Sequence, residues 1–309
     1  MEEKETYRRW CAERREIPLF LRDVWWDAVA PDVWRVWVFD EADGQAFFIF
    51  LAGRKSCLRY LIPPQLTPYQ GFYLLSGGTA FAEKCQRRLL ERLRAMRLSL
   101  FEMNVAPGMA LSRFEGSGYR RTLRTTYRLY GLSDIGSLWK GIAYKKKAEI
   151  RKAERLRLTL TPWSDVAAFY RLMERDHGSV WYLQPWLQRL YEQVCPAHGE
   201  MLAAVDEAGE CMAAAFLVWD EQTVYYLCCA TPREHRQSGA SAWLIWKALQ
   251  RYGERGFSCF DFEGSMVRSI AFSYRRFGAE PVSFDKWGKK NLLGHLACAA
   301  RGVRNWLPR

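Results

Sequence analysis

Residues 224–264 read VYYLCCATPREHRQSGASAWLIWKALQRYGERGFSCFDFEG. The run Val224–Ala230 is aromatic, β-branched and otherwise apolar, the composition of a buried strand. A polar turn follows. From Gly239 to Arg251 apolar residues recur at helical spacing, with Gly253 and Gly256 as stop signals. Phe257–Phe262 is apolar again and reads as a second strand. Strand, turn, helix, strand is an α/β order.

Working outward, two strand-like runs precede this stretch, Met201–Val205 and Met212–Trp219. The turns Asp206–Gly209 and Asp220–Gln222 are polar and short, which predicts an antiparallel meander. Upstream of the meander, Thr161–Gly178 shows helical periodicity with Ser164 as N-cap, and Gln184–Val194 a second helix. Downstream, Met266–Phe277 reads as a helix closed by Gly278, Pro281–Trp287 as a strand, and the rest as a helical tail. The order α-α-β-β-β-α-β-α-β resembles the GNAT acyltransferase fold.

The first half repeats part of that order. A helix is expected over Ile17–Ala30, strands at Trp34–Phe39, Ala46–Leu51 and Cys57–Ile62, a basic helix at Phe81–Met96 and a strand at Leu98–Met103. Both halves contain a helix of about four turns followed by an aromatic strand with a carboxylate: LSLFEMN (98–104) and FSCFDFEG (257–264). Between them Ser133–Arg157 reads as one linking helix, capped by Ser133 or Asp134. Trp139, Ile142, Ala143, Ile150 and Ala153 share its apolar face, and Lys147, Arg151 and Arg155 lie on the flank. Lys146 falls on the apolar side, where its stem would have to reach out to water. The expected domains are 1–156 and 157–309, two tandem GNAT-like α/β halves, each a mixed and mostly antiparallel sheet flanked by helices.

Composition narrows the function. The chain has 309 residues and a formal charge of +12, with 14 Trp. Such a charge favours anionic partners: CoA, nucleotide-linked sugars, lipid-linked phosphates, tRNA or a membrane surface, the last as a peripheral contact. Ordinary solvated faces account for it equally well. The longest apolar run, Ala46–Gly53, is under half the length of a membrane span. Met1–Glu5 lacks the order of a signal peptide, so a cytoplasmic location is expected. Nine cysteines without a Cys-x-x-Cys and only four histidines point to reduced thiols and no metal.

Three places carry possible chemistry. In the turn Arg236-Gln237-Ser238-Gly239-Ala240-Ser241, Arg236 and Gly239 match the Arg/Gln-x-x-Gly-x-Gly/Ala pattern of acyl-CoA enzymes. There, free N–H groups at a helix N-terminus face the pyrophosphate. Ser241 departs from the pattern, and an ordinary turn capped by Ser238 is the alternative. In a strand, Asp261 and Glu263 would share one face at its carboxyl end, and paired carboxylates raise one pKa, which suits a general base. Asp261 is expected to contact the substrate, and a structural partner is the other reading. Tyr274 lies four residues before Gly278, where GNAT enzymes carry a tyrosine that protonates the departing thiolate; the alternative is core packing.

The segments PLFLRDVWWDAV (18–29), PPQLTPYQGFY (63–73), YKKKAEIRKAER (144–155), YYLCCATPREHRQSGAS (225–241), FDFEGSMV (260–267) and SYRRFGAEP (273–281) resemble Fem-type peptidyl transferases, most of all the Fem-like acetyltransferase subgroup. The resemblance implies two GNAT-like halves and an acceptor-phosphate arginine at Arg151, with Lys147 beside it. It also implies a lysine near the final strand at Lys286 and an acceptor contact at Tyr69. A long helical hairpin carried by some members is missing, and the CoA-like turn is well formed. The expected function is therefore N-acyl transfer from acetyl-CoA or another acyl-CoA to an amine on an anionic acceptor. The alternatives are an aminoacyl-tRNA-dependent transferase acting on a peptidoglycan precursor, and a non-catalytic protein binding an anionic ligand or RNA through the basic helices 84–97 and 140–157.

Overall fold

The computed structural model describes residues 2–177, 184–264 and 268–299. In chain order the elements are α1 (Glu2–Glu13), α2 (Asp23–Val29), β1 (Trp34–Glu41), β2 (Gly44–Lys55), β3 (Leu58–Leu61), β4 (Gly71–Gly77), α3 (Thr79–Ala95), β5 (Leu100–Asn104) and β6 (Arg120–Tyr130). There follow α4 (Ile135–Gly141), α5 (Tyr144–Glu154), β7 (Thr159–Trp163), α6 (Val166–His177), α7 (Gln184–Gln193), α8 (Cys195–His198), β8 (Gly199–Val205), β9 (Cys211–Trp219) and β10 (Thr223–Ala230). The last are α9 (Ala240–Glu254), β11 (Cys259–Asp261), α10 (Arg268–Arg275), β12 (Glu280–Lys290) and α11 (Leu292–Ala299).

The chain folds into two compact units, Met1–Arg124 with Ser283–Arg309, and Thr125–Val282. In the second, β8, β9 and β10 form the expected antiparallel meander, β7 extends it, and β11 lies parallel to β10. In the first, β1 and β2 are antiparallel, β3 and β4 share the other edge of β2, and β5 lies parallel to β3. Both units are thus mixed, mostly antiparallel sheets in which the strand after the long helix joins the meander in parallel. The repeat seen in LSLFEMN and FSCFDFEG is real at the level of topology.

The division of the chain differs from a single cut at 156. β6 pairs antiparallel with β11, Asp261 opposite Arg128, in the second unit. β12 pairs with β5, Lys286 opposite Asn104, in the first. Each unit takes a strand from the other's stretch of chain. Trp287 accordingly belongs to the core of the first unit, with Phe114, Phe101 and Met103. Tyr127, Leu129 and Leu132 belong to that of the second, with Trp243, Trp246 and Phe260.

Several local expectations are corrected. Ser133–Arg157 is two helices, because Ile142 and Ala143 are extended (ψ 132° and 143°); Asp134 caps the first, accepting from the Ser137 amide at 2.9 Å. Lys146 is buried, with its Nζ bound to Glu149 and to Ser273 Oγ at 3.2 Å rather than reaching water. Thr161 lies in β7, and Asp165 rather than Ser164 caps α6, accepting from Ala168 N at 2.8 Å. Ile17–Ala30 holds a short 3-10 turn and α2, not one helix. Gly178 and Met266 lie outside the described residues. Periodicity assigns no element to α1, β4 or β6. Arg120–Tyr130 interleaves Arg with Thr and Tyr, so its β pattern is masked by charge.

Gly239 and Gly253 have a tertiary reason. A Cβ on Gly239 (φ 89°) would lie 2.2 Å from the Glu149 carbonyl oxygen, and one on Gly253 2.2 Å from that of Leu132. Gly253 lies inside α9, which runs on to Glu254 before Gly256 (φ 88°) ends it. These contacts set how closely α5 and the loop before α4 approach α9.

Candidate functional site

β11 ends at Asp261, so Glu263 is not on a strand face. Its φ of 56° lies in the left-handed region, where non-glycine residues are uncommon. Asp261 enforces this turn. Its carboxylate is fully buried and accepts from Thr126 Oγ1, from Arg128 Nε at 2.8 Å and from the Glu263 amide at 2.8 Å. Burial raises its pKa, and the Arg128 charge and these hydrogen bonds oppose the rise. Arg128 and Thr126, one strand over on β6, are the site residues that sequence reading missed. Their signal was the alternation of Thr126 and Arg128 along a strand.

Gly264 presses against the Thr125 carbonyl, where a Cβ would lie 2.6 Å away, and Phe262 N donates to the Tyr127 carbonyl at 2.9 Å. Held in this way, Glu263 is half-buried as a residue, but its Oε1 is sealed from solvent and has no hydrogen-bond partner among the described residues. A buried carboxylate oxygen without a partner is costly. Desolvation, and next the negative charge of Asp261, push the Glu263 pKa well above the usual carboxylate range.

Tyr274, on α10, stacks on Phe262 with ring centroids 4.6 Å apart. Burial raises its phenol pKa, and the neighbouring Cys229 and Glu263 raise it further. Cys228, on β10, is half-buried, and its thiol pKa is raised by desolvation and by the electrostatic proximity of Cys229 and Glu263. The register of β10 against β9 shifts between Tyr226 and Cys228, a bulge beside this cluster. Glu263, Tyr274, Cys228 and Cys229 thus form one low-dielectric group of proton-carrying side chains.

The turn before α9 is partly committed. The amides of Arg236, Ser238 and Ala240 donate to the Arg233 carbonyl, the His235 carbonyl and Ser238 Oγ. Gln237, Gly239 and Ser241 form no amide hydrogen bond among the described residues, which leaves three donors at the start of a 15-residue helix. Gly239 rather than Ser238 is the N-cap of α9, and the Ser238 hydroxyl accepts from the Ala240 amide at 3.0 Å from one residue further out. The Arg236 side chain is taken by Asp176, Nη2 to Oδ1 at 2.5 Å. α5 lies against the turn: Lys152 Nζ donates to the Gln237 carbonyl at 2.6 Å.

On α5 Lys147 donates to the Lys140 carbonyl at 3.1 Å, and Lys147 and Arg151 lie 5.7 and 5.8 Å from the Trp139 ring centre. Arg151 and Arg155 are exposed and form no ion pair among the described residues. Lys286 and Tyr69 fall in the other unit. Lys286 is paired with Glu102 at 2.7 Å. Tyr69 is buried, edge-on to Phe284 at 5.1 Å and to Phe20 at 6.1 Å. The one group among the described residues with three close metal-type ligands is Glu210, Glu234 and His235, the two carboxylates exposed and the histidine half-buried. There His235 is bound to Glu210 at 2.9 Å and Glu234 to Arg175.

Comparison with known proteins agrees with this topology. Residues 142–274 match the acetyltransferase (GNAT) domain family. The solved structure of FemX is similar over 90% of this chain and 95% of its own, at 14% identity and a TM-score of 0.65. L-PGS from Bacillus licheniformis is similar over 89% of this chain and 90% of its own, at 12% identity and 0.56. A tandem GNAT protein from the clavulanic acid biosynthesis pathway matches over 93% of each chain, at 10% identity and 0.53. The chain has a GNAT-type fold, shared with solved structures of Fem and tandem GNAT proteins. A further stretch of 54 residues is 35% identical to a curated Thermotoga maritima protein named for 1-aminocyclopropane-1-carboxylate deaminase; it spans 18% of this chain and 17% of that relative's length.

Proposed function

We propose that the chain is an N-acyltransferase whose second unit performs the transfer from an acyl-CoA donor. The observation that carries the reading is the Glu263 carboxylate: sealed, unpartnered, raised in pKa and held in a left-handed turn at the end of β11. An acceptor amine attacks the thioester carbonyl while Glu263, directly or through a water, takes the amine proton. The tetrahedral intermediate collapses to an amide, and the thiolate leaves with a proton from Tyr274. The amides of Gln237, Gly239 and Ser241 hold the donor's phosphates. The cations of α5, Arg151 and Lys147, steer an anionic acceptor. Asp261 is a positioning residue that fixes the turn of Glu263.

In the first unit Asn104 aligns with Glu263 and Glu102 with Asp261, counting along LSLFEMN and FSCFDFEG. Glu102 is paired with a lysine of the adjoining antiparallel strand, much as Asp261 is with Arg128. Asn104 cannot accept a proton, which supports a single catalytic unit.

The second reading is transfer of an aminoacyl group from tRNA to a cell-wall precursor or lipid. It is favoured by the unpaired cations of α5 beside the donor turn and by likeness of fold to structures named FemX and L-PGS. The test is calorimetric titration of the purified protein with acetyl-CoA and, separately, with aminoacyl-tRNA. Micromolar binding of acetyl-CoA with none of tRNA supports the first reading, and the reverse supports the second. Binding of neither donor would defeat transfer by this site.

A further inference from the structure

We propose that α11 and the basic residues that precede it form a surface that lies against an anionic lipid bilayer. Gly294 and Ala297 face the first unit. Gly294 is buried, and a Cβ there would lie 2.1 Å from the Ser99 carbonyl oxygen. Turned away from it, Leu292, Leu293 and Leu296 are 76%, 42% and 59% exposed. A single exposed leucine is ordinary; three side by side on one helix face are not.

Charge selects the occupant. Residues 286–299 contain Lys286, Lys289 and Lys290 and not one Asp or Glu. Lys289 and Lys290 immediately precede the helix and are exposed. The Asn291 amide at its start donates to the Ser99 carbonyl at 3.1 Å, next to exposed Arg94 and Arg97 at the end of α3. The nearest acid, Glu102, is already engaged by Lys286 and Lys290. An apolar stripe bordered by cations is the composition of an interfacial helix, in which leucines enter the acyl boundary and cations meet lipid phosphates. A second copy of this chain would set like charges against one another across the contact. Lipid contact here is independent of the chemistry at Glu263.

Flotation of the full chain with vesicles tests it, comparing phosphatidylcholine alone with a mixture of about 30% phosphatidylglycerol. Recovery with the anionic vesicles only is expected, with about fivefold affinity for each cation at the surface. Binding should fall as salt rises from about 0.1 to 0.5 M. The double variant Leu292→Glu/Leu296→Glu alters exposed positions only, so its circular dichroism should match the parent while vesicle affinity drops at least about tenfold. Three results would overturn the proposal: equal recovery on both vesicles, undiminished binding by the folded double variant, or a lipid-free dimer that this variant converts to monomer.

Discussion

At the scale of single residues, Glu263 is asked to do two things that oppose each other. If Glu263 is the general base, transfer needs the ionised carboxylate, and kcat/KM should rise with pH along a limb set above the ordinary carboxylate range. Folding prefers the protonated form. A carboxyl whose folded pKa is raised contributes stability below its unfolded pKa, near 4.5, and loses it as pH climbs through the folded value. Glu263→Gln should therefore lower turnover by about a hundredfold or more with donor affinity kept. In thermal melts the same variant should be more stable than the parent at pH 7 to 8 and no different near pH 4. Equal melting temperatures at both pH values would mean that the carboxylate is hydrated, and the general-base role would go with it. Tyr274→Phe should cost less than Glu263→Gln, because water can protonate a thiolate. Arg128 has the reverse character. Removing it leaves the Asp261 charge buried without its cation, so Arg128→Met should cost about 3 kcal/mol in urea unfolding.

At the scale of elements, α9 is held by backbone contacts that override helix propensity. Gly253 sits in the last turn of α9, where Ala is ordinarily the better helix former. Its Cβ would meet the Leu132 carbonyl at 2.2 Å, and backbone cannot swing aside as a side chain can. Gly253→Ala should hence destabilise, and a raised melting temperature would show that the loop before α4 yields freely. The two helices α4 and α5 meet at the Ile142–Ala143 break, which lets Trp139 on the first lie near Lys147 and Arg151 on the second. If Arg151 recognises phosphate there, Arg151→Ala should weaken binding of a phosphorylated acceptor about ten- to a hundredfold. Unchanged affinity in the folded variant would leave α5 as a structural helix that buttresses the donor turn.

At the scale of the whole molecule, the exchange of strands decides what can fold alone. A fragment 1–156 lacks β12 and with it Trp287, which is 1% exposed in the first core. A fragment 157–309 lacks β6 and both Asp261 partners, Thr126 and Arg128. Each fragment exposes a strand edge and an incomplete core. Expressed singly, both should lack dispersed NMR spectra; expressed together, they should recover a soluble complex. A well-dispersed spectrum from either fragment alone would refute this dependence.

The sequence alone determined what local pattern can encode. Apolar runs and polar turns announced the β8–β9–β10 meander, the strand–helix–strand order and the repeated aromatic strand. The start of α9 at the Gly-containing turn was legible because the strand, turn and helix that define it are consecutive in the chain. Only the tertiary structure decided the rest. Arg120–Tyr130 is a strand because β11 pairs with it, a partner 130 residues distant. Asp261 is structural because Arg128 and Thr126 reach it from that strand. Glu263 leaves the strand face because Asp261 captures its amide and Gly264 must clear the Thr125 carbonyl. The unit boundaries follow from β6 and β12 changing sides, which leaves no mark on composition. Pairing and burial are properties of residues far apart in the chain, and no local periodicity records them.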